Sequence, residues 1–240
     1  MSATDGTPVL QAQALGRVLP GQVPTILVSD VDAVFAPGSF TVITGPSGSG
    51  KSSLLYLLGL LDRPTTGELL LAGQPTGALS DEARAGLRLW HFGFVFQFHF
   101  LLPEFTVADN VMLPMREAGR LTAGQMRARA RALLGALDMP DLETKRPDQL
   151  SGGERQRTAI ARALANDPAV VLADEPTGAL DTRNGRAVFT ILRALARQGR
   201  TVITVTHDEA LAAMADRRIA LLDGRVVADG AASSFLRSAG

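Results

Sequence analysis

The chain's 240 residues, 46% of them hydrophobic, supply a substantial core, as one large domain or as a core with a smaller lobe. Lysine plus arginine and aspartate plus glutamate balance at 24 each, and a pI near 6.8 removes the electrostatic footprint of a dedicated nucleic-acid binder. Cysteine is absent, which excludes a disulfide framework and a thiolate metal site.

Short strand-like runs alternate with helical periodicities along the chain, the pattern of an α/β fold with a parallel sheet. The opening MSATDGTP has no basic or apolar leader segment, so a soluble, unexported chain is expected. FTVITG, Phe40 to Gly45, is nearly continuously apolar and β-branched, as a strand covered on both faces should be. It runs into GPSGSGKSS, which fits G-x-x-x-x-G-K-[ST] between a strand and a helical run carrying Leu54, Leu55, Leu57 and Leu58. Gly45, Gly48 and Gly50 let backbone amides curl around phosphate oxygens, with Pro46, Ser47, Ser49 and Ser53 completing the loop and helix start. Lys51 is placed to reach the β and γ phosphates of a nucleoside triphosphate, and the Ser52 hydroxyl to ligate Mg2+. The longest apolar run, Leu54 to Leu61, is too short to span a bilayer, so direct membrane insertion is not expected.

His91 to Phe105, HFGFVFQFHFLLPEF, holds six of the ten phenylalanines, and from Phe92 to Phe100 every second residue is Phe. An extended stretch would line one face with rings and turn Gly93, Val95, Gln97 and His99 the other way, as a core strand or as a docking surface. Between Phe105 and Leu150 the pattern is helical: Thr122 with Gln125 forms a capping box, and Met126, Ala130, Leu133, Leu134 and Leu137 share one face. Arg127, Arg129 and Arg131 fall off that stripe and read as a solvated helix face. LSGGERQR follows, where Ser151 with Glu154 is a second capping box that puts Ser151, Gly152 and Gly153 at a helix N-terminus, a second anion-receptive end. VVLADEP then ends a buried strand on Asp174 and Glu175, a costly pair unless a cation compensates; Asp174 would hold Mg2+ through water and Glu175 act as general base on the attacking water. Asp181 N-caps the next helical stripe, Val188, Ile191, Leu192 and Leu195. TVITVTH brings another buried strand to His207, and Asp223-Gly224 between apolar runs predicts a hairpin.

LSGGERQR resembles the signature of ABC-transporter ATPases, and the ordered motifs around it match that family over essentially the whole chain. The resemblance implies an α/β P-loop NTPase core with a mostly parallel sheet, an N-terminal antiparallel β-subdomain and an inserted α-helical subdomain at about 98–165. On that reading residues 9–240 form one nucleotide-binding domain behind a flexible N-terminus at residues 1–8. It also implies a homodimer in which Ser151, Gly152, Gly153 and Glu154 of one copy close on the γ-phosphate held by the other's Lys51 loop. Gln97 would touch Mg2+ and the attacking water, Asp181 would be the D-loop aspartate, and His207 would contact the γ-phosphate. The partner so implied is an integral membrane permease docking near Gln97 to Phe105, at the cytoplasmic face of the inner membrane, with no nucleic acid. Phe92, Phe94 and Phe96 are then expected to finish a buried strand, and Phe98, Phe100, Leu101, Leu102 and Phe105 to form the docking group. One position departs from the family pattern: Val18 stands where an aromatic ring commonly stacks on adenine, leaving Arg17 as the alternative stacker and Tyr56 in the wrong place. FQFHFLLPEFTVADNV and LADEPTGALD are similar to the branch that holds lipoprotein-release and MacB-type macrolide-exporter ATPases. A division-type ATPase that signals without transport is the alternative, whereas a DNA- or ribosome-acting relative would need coiled-coil insertions or tandem cores.

Overall fold

The computed structural model describes residues 8–235, so the N-terminal segment expected to be flexible lies, but for Pro8, outside the described residues. The chain opens with β1 (Leu10–Leu19), β2 (Thr25–Phe35), β3 (Phe40–Thr44), α1 (Lys51–Leu58), β4 (Thr66–Leu71) and β5 (Gln74–Pro75). It continues through α2 (Asp81–His91) and β6 (Phe92–Phe96) to α3 (Val107–Ala118), α4 (Ala123–Ala136) and, after a 3-10 turn at Pro147–Gln149, α5 (Gly152–Ala163). β7 (Val170–Asp174), α6 (Thr182–Arg197), β8 (Thr201–Val205), α7 (Glu209–Ala212), β9 (Arg217–Leu222), β10 (Arg225–Ala231) and α8 (Ala232–Phe235) complete it.

Two sheets result. An antiparallel one runs β2-β1-β4-β5, and a six-stranded one runs β10-β9-β3-β8-β7-β6, parallel throughout except for the β9–β10 hairpin. That hairpin turns on Asp223 and Gly224, both at positive φ (48° and 77°), the backbone that an Asp-Gly pair adopts readily. β3, β7 and β8 are buried at every position because each face of the sheet is covered. Phe40, Val42, Val171, Ala173 and Val202 point into one core shared with α3 to α6, while Ile43, Leu172, Ile203 and Val205 point into another shared with α1 and the antiparallel sheet. The alternation within single strands thus sorts residues between two cores rather than between core and water.

Strand ends are in register across the sheet. Phe96 pairs with Asp174, Asp174 with Val205, and Val205 with Ile43, so four C-terminal ends form one line. In parallel sheets that edge is where ligands bind, because the connections leaving it diverge. Between β6 and β7 the chain leaves the sheet for α3, α4 and α5. The α4 stripe packs as its periodicity predicts, with Ala130, Leu134 and Leu137 buried. Arg129 does not share the solvated face expected of it: its guanidinium is half-buried and donates to the carbonyls of Leu164 and Ala165, which close the C-terminal end of α5.

Candidate functional site at the sheet edge

The loop between β3 and α1 is shaped by its glycines. Gly45, Gly48 and Gly50 all have positive φ, and a Cβ on Gly50 would stand 2.1 Å from the Leu27 carbonyl, so that position admits no side chain. Gly50 N-caps α1 without a side-chain hydrogen bond, which leaves the first amides of the helix directed at the space in front of the loop. Lys51 is 9% exposed and donates from Nζ to the Pro46 carbonyl at 2.8 Å, spanning the loop. Pro46, Ser47 and Gly48 are the exposed rim of the loop, whereas Ser49 is buried with no partner for its hydroxyl; Ser53 is half-buried on α1.

Asp174, 9% exposed at the end of β7, accepts two hydrogen bonds from α1, one per carboxylate oxygen. Ser52 Oγ donates to Oδ1 and Tyr56 OH to Oδ2, each at 2.8 Å. Burial and then the bond to Asp174 push the Tyr56 phenol up to about 12. Tyr56, set aside in the sequence because it lies far from the adenine position, therefore belongs to the site. Its signal was the i, i+4 spacing from Ser52, which puts both hydroxyls on one face of α1.

Glu175 follows at φ +46°, a left-handed backbone uncommon for a side-chain-bearing residue, held by donation of its N–H to the Val205 carbonyl at 3.1 Å. The twist aims the carboxylate at His207, whose Nδ1 lies 3.1 and 3.0 Å from the two oxygens. His207 itself is 74% exposed. Gln97, one residue beyond β6, packs its amide against Gly178, where any Cβ would meet Nε2 at 2.7 Å. Gln97, Asp174, Glu175 and His207 thus leave adjacent strands at one edge, facing the phosphate loop. Ser52, Gln97 and Asp174 offer only hard oxygen donors, with no cluster of three His, Cys, Asp or Glu among the described residues. This set fits Mg2+, which binds through one or two protein oxygens while keeping water and phosphate ligands.

The second capping box forms as the sequence indicates. Ser151 caps α5, accepting from the Glu154 N–H, while Glu154 accepts from the Ser151 N–H at 2.8 Å and hydroxyl at 2.7 Å. Those Ser151 bonds, side chain first, hold the Glu154 carboxyl below the usual glutamate range. Gly153 is buried against Asn184 of α6, whose start Asp181 caps; the Asn184 N–H is the main cause of a lowered Asp181 carboxyl. Among the described residues no hydrogen bond or ion pair joins Ser151–Glu154 to the Gly45–Ser53 loop.

The aromatic row divides at Gln97. Phe92, Phe94 and Phe96 stack along β6 with ring centroids 6.1 and 6.0 Å apart, and only Phe92 is fully buried. All three border an open cleft of about 620 Å³ between α2, α3 and α5, and Phe94 and Phe96 are only half-buried there, contrary to the expectation that all three would finish a buried strand. Phe98 and Phe100 are 63% and 64% exposed and Leu102 41%, whereas Leu101 and Phe105, expected in the same group, are half-buried. Three side chains that the sequence reading did not single out hold this loop. Gln156 donates to the Phe96 carbonyl at 3.2 Å, Arg162 to the carbonyls of His99 and Phe100 at 2.6 and 2.7 Å, and the buried Asn110 exchanges bonds with both backbone groups of Leu102. At the opposite side, next to Val18, Arg17 Nε donates to the Asp62 carboxylate at 2.7 Å, an edge contact that leaves the faces of the guanidinium free to stack.

A phosphate-cradling loop between β3 and α1, with a carboxylate on a neighbouring strand tied to its serine and a second carboxylate beside it, defines a P-loop nucleotide hydrolase. The family described as ABC transporter matches residues 28–178, and the chain belongs to it as an ABC ATPase domain. It is 51% identical over 193 residues to the lipoprotein-releasing system ATP-binding protein LolD 1 of Chlorobium chlorochromatii, covering 80% of this chain and 78% of that one. It is 48% identical over 223 residues to the macrolide export ATP-binding/permease protein MacB of Burkholderia pseudomallei, covering 92% of this chain and 34% of the larger protein. A dimeric ATP-binding cassette solved in a post-hydrolysis state with ADP and Pi superposes with a TM-score of 0.86 at 37% identity, over 93% of this chain and 98% of that one. The enzyme is thus an ATPase of the LolD and MacB type, and no helix among its described residues is long and apolar enough to cross a membrane.

Proposed function

We propose that two copies of this chain pair head to tail around two ATP molecules and drive an integral membrane permease, in lipoprotein release or MacB-type export, from the cytoplasmic face of the inner membrane. The observation that carries the dimer is the separation of the two anion-receptive ends: each is built, and neither contacts the other within one chain. A triphosphate seated on the Lys51 loop would therefore meet Ser151, Gly152 and Gly153 of a second copy, with Asp181 at the same face. Identity to a lipoprotein-release subunit over four-fifths of the chain favours that substrate class.

Within each site the backbone amides of Gly48 to Lys51 and the Lys51 ammonium would hold the phosphates, and Ser52, Asp174 and Gln97 would hold Mg2+, which supplies charge neutralisation at the phosphates. Glu175 would take a proton from the attacking water while His207 orients its carboxylate and the γ-phosphate. The cleft lined by Phe94 and Phe96, continuing into exposed Phe98 and Phe100, would receive an apolar element of the permease. Glu175→Gln should bind ATP at parental affinity, lose turnover by about 100-fold or more, and accumulate as an ATP-bound dimer in size-exclusion chromatography. A monomeric Glu175→Gln protein with saturating ATP would refute the pairing. Phe98→Ser with Phe100→Ser should keep basal ATPase and lose co-purification with the permease; retained co-purification would move docking elsewhere.

A further inference from the structure

His207 leaves the end of β8 with its ring exposed, and Glu175 is its one hydrogen-bond partner among the described residues. The backbone that carries it continues into α7, a single turn of four residues, too short to keep its place by its own hydrogen bonds. Asp208 caps that turn, accepting from the Ala210 and Leu211 N–H groups, and Leu211 and Ala212 bury its far end in the core. Its near end starts at Glu209, exposed and two residues beyond His207, and the side chain that ties Glu209 down is Arg218.

Arg218 stands half-buried on β9, paired in register with Val42 of β3, and divides its guanidinium between two elements. Nη1 and Nη2 donate to the two carboxylate oxygens of Glu209, the second at 2.7 Å, while Nε donates at 2.8 Å to the buried hydroxyl of Thr44, the residue that immediately precedes Gly45. The Phe235 ring of α8 covers the guanidinium, its centroid 4.8 Å from Cζ. A planar fork held at its end and its edge and covered on one face has one place to sit. Arg217, next along the strand, spends its donors on Asp229 within the β9–β10 hairpin and on the Val34 carbonyl, so the reach toward the site belongs to Arg218.

From this geometry we infer that Arg218 is a positioning residue for hydrolysis: acting through Glu209, it fastens the segment that carries His207 to the strand that feeds the phosphate loop, so that histidine and loop keep one separation. The inference rests on the reading of His207 as the residue that faces the γ-phosphate. A misplacement of about 1 Å caused from outside the chemistry can cost about 100-fold in rate, so even partial loosening of this clamp is measurable.

The test compares kcat, and the ATP concentration giving half-maximal rate, in Arg218→Met, in Glu209→Ala and in each combined with His207→Ala, with single-turnover measurements extending the comparison to the slow variants. Each single variant should lose about 10-fold in kcat with half-saturating ATP within twofold of the parent, and neither should lose more than about a further twofold once His207 is absent, because both act through it. Turnover within twofold of the parent in Glu209→Ala, an exposed change that leaves β9 intact and carries the test alone should Arg218→Met fail to fold, would overturn the inference. A tenfold loss that persists in full on top of His207→Ala would assign the clamp to the fold instead, and a rise in half-saturating ATP matching the fall in kcat would assign it to nucleotide binding. Parental turnover in His207→Ala would sink the reading of His207 itself, a result seen without either clamp variant.

Discussion

Arg162 is, with Gln156, one of two α5 side chains that hold the exposed aromatic loop, and its removal has a calculable effect. Its guanidinium donates to the carbonyls of His99 and Phe100, and Phe100 sits at φ +46°, where a bulky residue is strained. Hydrogen bonds from a charged donor contribute about 1.5 kcal/mol each at the low end of their range, so Arg162→Met forfeits about 3 kcal/mol of local restraint. The left-handed Phe100 opposes that restraint by about 1 to 2 kcal/mol, so without Arg162 the loop has every reason to relax. At 1.4 kcal/mol per decade, the opening equilibrium should shift by about 100-fold. Amide hydrogen exchange of a peptide spanning 97–101 should accelerate by that order, while Leu102, still held by Asn110, changes less. Global stability should fall by less than the full 3 kcal/mol, since the freed carbonyls reach water, and ATP binding at the phosphate loop should be untouched. Exchange within threefold of the parent would show that the loop owes its shape to something other than Arg162.

Two further outcomes can be checked on the isolated protein. Val18→Tyr places a ring on β1 next to the Arg17–Asp62 pair, and stacking worth about 1 to 3 kcal/mol should tighten ATP binding about tenfold and raise discrimination against GTP; equal ATP affinities of Val18→Tyr and the parent, with unchanged GTP discrimination, would count against a weakened adenine pocket here. The Glu154 carboxyl is lowered by its bonds to Ser151, so its contribution to stability is present above the ordinary glutamate value of about 4.3 and disappears as pH falls through the lower folded value. Thermal midpoints should accordingly drop more steeply over that acid window in the parent than in Glu154→Gln, and parallel slopes would refute the assignment.

The phosphate loop, the Asp174-Glu175 pair and the Ser151 cap were legible because each is a local pattern: a few adjacent residues dictate a backbone shape whatever the rest of the chain does. His207 gained its meaning only from register, being one of several strand ends brought into line by pairing. Tyr56, Gln156 and Arg162 were not legible in the same way, since their partners lie 118, 60 and 62 to 63 residues away and no periodicity specifies such a meeting. The phenylalanine row shows the limit of alternation itself. Period-two spacing identified a strand and its two faces, but Gly93, packed so that a Cβ would stand 2.4 Å from the Ala163 carbonyl of α5, borders the same gap between helices as Phe94 and Phe96. Which face meets a void depends on how widely α2, α3 and α5 are spaced, and that spacing is set by side chains elsewhere.

The shared alignment of four strand tips constrains how such an enzyme can diversify. Deleting one residue inside β7 would carry Asp174 to the opposite side of the sheet and displace it by about 3.3 Å along the strand, stranding the hydrolytic machinery in a single step. Length variation is therefore tolerable only in the excursions between strands, above all the helical one between β6 and β7. That excursion also carries the exposed rings Phe98 and Phe100, so the part of the molecule free to change in length also presents apolar surface, and that surface can be reshaped without retuning the chemistry.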